Sequence, residues 1–198
     1  MYPCCKFNHG AIEATLEMAK RNDLRSDQVA EIHVGLNQQM FDLVCEPYDD
    51  KVAPRNAVDA QFSLYYTVAT ALVRGKVFID DFGEEIIRDR EVLAVARRVK
   101  PHVDPLLEKE FSIGISPTLV TIRLKNGSLL EGRVDHVKGH PLKPLTLEEI
   151  FEKYKRCARL ALLPLRQEQM DRMGQTIFQL EQVGDVSSMV TLLTPGES

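Results

Sequence analysis

The 198-residue chain has no apolar run long enough to cross a bilayer. Its longest stretches, such as Leu160 to Leu165, are a few residues long and are interrupted by Pro164, far short of the roughly 20 residues a spanning helix needs. It also lacks a surplus of positive charge. Its 25 Lys and Arg are outnumbered by 29 Asp and Glu, for a net charge of −4. No basic field is left to hold a phosphate backbone through counterion release, so nucleic acid is not an expected partner. Cysteine is sparse: Cys4, Cys5, Cys45 and Cys157 form neither a disulfide framework nor paired C-x-x-C spacing, which predicts free thiols in a reducing cytoplasm. Glycine and proline, at 11 and 10, are too few for a low-complexity chain. The opening Tyr2-Pro3-Cys4-Cys5 has neither the basic start nor the apolar run of a signal peptide. No period recurs that would indicate a solenoid.

What is present is enough for a core, at 44% apolar residues. Asn8, a favoured N-cap type, precedes Ile12, Leu16 and Ala19 on one helical face, with an end expected near Arg21 to Asp23. Ile32, Val34 and Leu36 alternate with Glu31, His33 and Gly35, the period of a half-buried strand over 29–36. Gln38 to Asn56 carries two prolines and no sustained period, and reads as a long loop. Ala57 to Arg74 reads as one buried helix stopped by Gly75, and a further helix is expected from Asp89 to Pro101. Val120, Ile122 and Leu124, then Asn126-Gly127, then Leu130, Gly132 and Val134 predict a β-hairpin with a type I′ turn. After Gly139-His140-Pro141 the strand signal ends. Thr146-Leu147-Glu148-Glu149 is a capping box, and the chain reads helical to Leu193 with breaks near Pro164 and Gly184. The expected class is α+β: a small antiparallel sheet with packed helices over 1–136, followed by a helical tail over 137–198.

Few side chains point to chemistry on their own. Cys4, Cys5 and His9 lie in one short segment, but a structural zinc site needs four ligands in recognisable pairs and no second pair exists. No metal is expected. His9 falls in a first helical turn, where the positive end of the helix dipole favours a neutral imidazole that can act as a base. Ser63, Tyr65 and Tyr66 sit at the spacing of a buried helix, His140 in a turn, and Asp80, Asp81, Glu84 and Glu85 on what reads as a solvated face.

The combination goes further than its parts. Tyr2-Pro3-Cys4-Cys5 with Asn8-His9, then Ala60-Gln61-Phe62-Ser63-Leu64-Tyr65-Tyr66 with Ala69 and Gly75, then Leu124-Lys125-Asn126-Gly127 and Gly139-His140-Pro141 with Lys143-Pro144-Leu145 resemble the MmgE/PrpD family in order and spacing. Its members include 2-methylcitrate dehydratase, cis-aconitate decarboxylase and iminodisuccinate epimerase. They are longer, cofactor-free enzymes, of which this chain looks like the C-terminal part. The resemblance implies a lid domain that closes on an N-terminal helical domain, with the tail helices packing on that domain. It implies proton abstraction next to a carboxylate on a small polycarboxylate, with His9 and Cys5 at catalytic positions, Ser63 and Tyr66 as a Ser/Tyr substrate-binding motif, and no cofactor. The family lysine ahead of the aromatic-Pro pair is expected upstream of residue 1, and Lys6 is not its counterpart. Cys5 stands where cis-aconitate decarboxylases carry a histidine, and Phe41 where they carry a tyrosine, so the implied activity is closer to 2-methylcitrate dehydratase, in propionate catabolism. A homo-oligomer, dimeric at its simplest, or a separate helical partner is expected. The alternative is a non-catalytic interaction or regulatory domain that keeps the lid fold.

Overall fold

Alternating apolar residues make Val29–Leu36 the strand β1, with Ile32, Val34 and Leu36 fully buried on its core face. The computed structural model describes residues 1–110, 117–163 and 165–193. It divides into two compact units, Met1–Pro144 and Leu145–Ser198. In the first unit β1 is preceded by α1 (His9–Arg21) and followed by α2 (Gln38–Cys45), α3 (Tyr48–Val52), α4 (Ala57–Gln61), α5 (Leu64–Arg74) and α6 (Arg90–Ala96). Then come β2 (Val99–Val103), α7 (Pro105–Glu110), β3 (Thr118–Leu124) and β4 (Leu129–Val134). The sheet runs β2-β1-β3-β4. It is antiparallel from β1 through β3 to β4, with Val34 opposite Val120 and Val120 opposite Gly132. β2 adds a parallel edge with Val34 opposite Pro101, so the α+β fold holds as expected, with its small sheet antiparallel except at this edge. Proline lacks a ladder donor, and an edge strand is where a sheet tolerates it.

Helix α1 lies on β3 and β4 because glycine lets the backbones approach. A Cβ on Gly10 would come within 2.6 Å of Thr118 Oγ1, and one on Gly132 within 3.4 Å of Ala14 and Met18. The hairpin forms as expected, but its turn differs. Gly127 N–H bonds Leu124 O at 3.0 Å and Leu124 N–H bonds Ser128 O at 2.8 Å, with Gly127 alone of the turn residues at positive φ, +90°. This is a type I turn closed by a glycine bulge.

Other local expectations fail for identifiable reasons. The loop expected over Gln38 to Asn56 holds α2, capped by Asn37 through the Met40 N–H, and α3. The single helix expected over 57–74 breaks at Phe62, because extended Ser63 caps a new helix by accepting the Tyr66 N–H at 3.0 Å. Gly75, at φ +64°, ends that helix as predicted. The helix begun by Asp89 stops at Ala96 and yields to β2. Residues 137–144 pack within the first unit: Val137 is buried, and Glu13 of α1 accepts the Lys138 N–H at 2.8 Å and pairs with Lys143.

The second unit consists of α8 (Leu147–Arg159), α9 (Gln167–Phe178) and α10 (Ser187–Leu193). The capping box is present, with Glu149 Oε2 accepting the Thr146 N–H at 2.8 Å and Thr146 Oγ1 accepting the Glu149 N–H at 3.3 Å. Phe151 fills the space over Gly174 and stacks on Phe178 at 5.0 Å. The break expected at Pro164 lies outside the described residues. Among the described residues no helix is long and apolar enough to cross a membrane.

Candidate active site

The segment ahead of α1 is tied to the break between α4 and α5. Cys5 N–H donates to Gln61 O at 2.9 Å, and Gln61 Nε2 returns a bond to Pro3 O at 2.9 Å. Asn8 Nδ2 donates to Gln61 O at 3.1 Å and to Ser63 O at 3.5 Å. Two of these bonds converge on Gln61 O, at the end of α4 where the helix breaks. Asn8 makes no side-chain cap for α1, against expectation, because its backbone is already helical, at φ −81° and ψ −20°, where a capping residue is extended.

His9, the first residue of α1, is thereby held at 7% exposure, its ring edge-on to Tyr2 at 5.2 Å. Burial disfavours the imidazolium and lowers its pKa to about 4, against the opposing effect of the Cys4 and Tyr2 backbone. The neutral ring expected from the helix dipole is present, and its leading cause is desolvation. His9 Nε2 is buried with no hydrogen-bond partner among the described residues. A neutral imidazole with a free nitrogen can take a proton, provided a substrate reaches it.

Cys5 is half-buried. Burial pushes its thiol pKa up, partly offset by the Phe7 backbone and the Lys51 ammonium. Cys4 is pushed up to about 12, mainly by burial. Both thiols are protonated at neutral pH, which makes them weak donors and not nucleophiles. Ser63 and Tyr66 are fully buried. The Ser63 hydroxyl donates to Lys51 O while capping α5, and the Tyr66 hydroxyl donates to Asp81 O. The structure therefore joins Cys5, Asn8 and the Ser63 backbone beside His9, and directs both hydroxyls of the Ser/Tyr motif into the fold.

Other singled-out residues sort readily. Phe41 packs against the core and Lys6 is exposed. His140 Nδ1 accepts the Leu142 N–H at 3.1 Å in a turn, and its ring stacks on His136 at 4.5 Å. The acidic run is not uniformly solvated: Asp81 is fully buried, bound to Arg74 Nε at 2.5 Å and to the Phe78 N–H at 2.7 Å. Two contributors had no local sequence signal. Glu13, one turn after His9, fixes the 138–143 segment, and Lys51 Nζ donates to Phe62 O at 2.8 Å beside Cys5. Among the described residues no three His, Cys, Asp or Glu side chains gather as a metal site.

Comparison with known proteins then decides the family: residues 2–177 match the MmgE/PrpD C-terminal domain. The chain belongs to the MmgE/PrpD family. It is 24% identical to a cis-aconitate decarboxylase-like protein, oryM, of Aspergillus oryzae, over 98% of this chain and 40% of that protein. It is 25% identical to human and 23% to mouse cis-aconitate decarboxylase, in each case over 74% of this chain and 29% of the relative. This MmgE/PrpD chain thus spans well under half the length of the curated relatives it matches.

Proposed function

We propose that the chain is the lid-bearing C-terminal part of a cofactor-free MmgE/PrpD lyase that abstracts a proton next to a carboxylate on a small polycarboxylate, in the manner of 2-methylcitrate dehydratase. The observation that carries this reading is His9, a neutral buried imidazole with an unbonded Nε2 at the start of α1. A base that is neutral at pH 7 accepts a proton without first losing one. In this reading the Cys5 thiol supplies a weak hydrogen bond. Ser63 and Tyr66 shape the wall, because their hydroxyls are already committed. The rest of the site comes from a helical domain, on which the second unit docks, or which a second copy helps to complete.

Decarboxylation of cis-aconitate is the second reading, favoured by the names of the relatives. Against it stands Cys5, at the position where the family resemblance puts a decarboxylase histidine. The test is an assay of the chain alone and with a family helical domain supplied in trans. The chain alone should not dehydrate 2-methylcitrate above background. The reconstituted sample should dehydrate it, and His9→Ala should cost about 100-fold or more, the lower range of a lost general base. Turnover by the chain alone, or a rate indifferent to His9→Ala, overturns the proposal, and carbon dioxide release from cis-aconitate selects the second reading. Light scattering on the same samples reads oligomer size; a monomer at every dilution excludes the second-copy arrangement.

A further inference from the structure

The second unit holds a cleft of about 530 Å³ between α9 and α10, within the size range of small-molecule sites. Gln169, Arg172 and Thr176 line it from α9, Arg166 from the extended residue that precedes α9, and Ser188 and Thr191 from α10. Spacings of three and four put Gln169, Arg172 and Thr176 on one helical face. Among the described residues no carboxylate lines this cleft.

We infer that the cleft binds a small multivalent oxyanion, either a phosphate monoester or a di- or tricarboxylate. Most polar groups lining the cleft are already spent within the unit. Gln169 is nearly buried and ties the two helices together: its Oε1 accepts the Arg166 N–H at 3.1 Å, and its Nε2 donates to Leu192 O at 3.4 Å. That bond sets the floor. The hydroxyls are committed elsewhere, Thr176 donating to Arg172 O at 2.9 Å and Ser188 to Asp185 O at 2.7 Å. Recognition therefore falls to the guanidinium groups.

Arg166 shares one N–H with Gln169 Oε1 at 3.4 Å. Arg172 has no ion pair among the described residues; Asp171 beside it is taken by Lys155 at 3.7 Å and by Gln167. Asp185, at the entry to α10, is turned onto Ser187. A guanidinium presents five donors in a planar fork that matches two oxygens of one anion. Two forks in one cleft favour a ligand with at least two negative charges over a monovalent one.

Isothermal titration of the full chain with inorganic phosphate, citrate and acetate tests this, with the Arg166 and Arg172 Nε–H resonances followed by NMR. Phosphate or citrate should bind one per chain at least about tenfold more tightly than acetate and move both resonances. Binding of phosphate alone assigns a phosphate ester, of citrate alone a polycarboxylate, and of both the shared chemistry. Arg172→Gln should weaken binding about tenfold, and Arg172→Lys nearly as much, since it keeps the charge and loses the fork. Both positions are exposed, so helix content by circular dichroism should hold; if Arg172→Gln loses it, Arg172→Lys carries the test. Affinities no better than acetate, or unchanged in the Arg166→Gln/Arg172→Gln double variant, overturn the inference.

Discussion

The two units are built on different physics. In Met1–Pro144 the sheet, α1 and α5 close on side chains with no exposure at all, among them Ile12, Ile32, Val34, Leu64, Tyr66 and Ile122. In Leu145–Ser198 the buried residues among those described are Ala158, Gln169, Met170, Met173 and Gly174. Leu162 is 98% exposed and Leu163 63%. The first unit draws its stability from contacts between distant parts of the chain. The second relies on devices local in sequence: a capping box, one aromatic stack over a glycine, and a glutamine that staples two helices. Apolar side chains that local devices leave uncovered gain about 1.5–3 kcal/mol each when a partner buries them, which is the physical reason to expect the second unit to dock.

The largest test of this contrast truncates one side chain in each unit. Ile32→Ala removes buried atoms from the central strand and should cost about 2–5 kcal/mol in urea unfolding of the first unit. Leu162→Ala should stay within about 0.5 kcal/mol, because nothing is packed on it to lose. Equal costs at the two positions would dissolve the distinction.

A smaller effect sharpens the first unit further. Burial lowers the His9 pKa from 6.5 to about 4, so between those values the unfolded chain binds a proton that the folded one does not. Stability from this group is complete above pH 6.5 and is lost as pH falls toward 4. The expected loss between pH 7 and pH 5 is roughly 2 kcal/mol, read by urea titration at each pH. His9→Gln should flatten that slope; a slope that survives the substitution assigns the titration to another group.

Legibility in the sequence followed the same division. Features set within a few residues could be read: the alternation of β1, the Asn126-Gly127 hairpin, the stop at Gly75 and the Thr146 capping box. Features set by distant partners could not. β2 hides behind Pro101, and only its pairing with β1 makes it a strand. Ser63 looks like the middle of one helix, and its role as a cap appears only with Lys51, whose carbonyl takes the Ser63 hydroxyl while that hydroxyl accepts the Tyr66 N–H. His9 was visible as a candidate base, but the cause of its neutrality was not, since burial depends on Tyr2 and on the bonds of Cys5 and Asn8 to Gln61. The hold of Glu13 on Lys138 spans 125 residues and leaves no local trace.

The smallest expected effect belongs to the second unit. Thr146→Ala removes the hydroxyl that accepts the Glu149 N–H and unpairs half of the capping box, which should cost about 1 kcal/mol. Because the contacts that otherwise hold α8, from Phe151, Lys155 and buried Ala158, lie past its first turn, the loss should concentrate in that turn. Amide hydrogen exchange would show Leu147 to Ile150 less protected, with β1 and β3 unchanged. The same type of cap in the first unit offers the control: Asp89, which accepts the Glu91 and Val92 N–H groups at 2.8 and 3.1 Å, begins a helix whose Val92, Val95 and Ala96 are buried. Asp89→Ala should therefore destabilise by a similar amount while opening α6 less, since packing keeps that helix in place. If Thr146→Ala lowers protection throughout the first unit, local caps and distant packing are not separate sources of stability here.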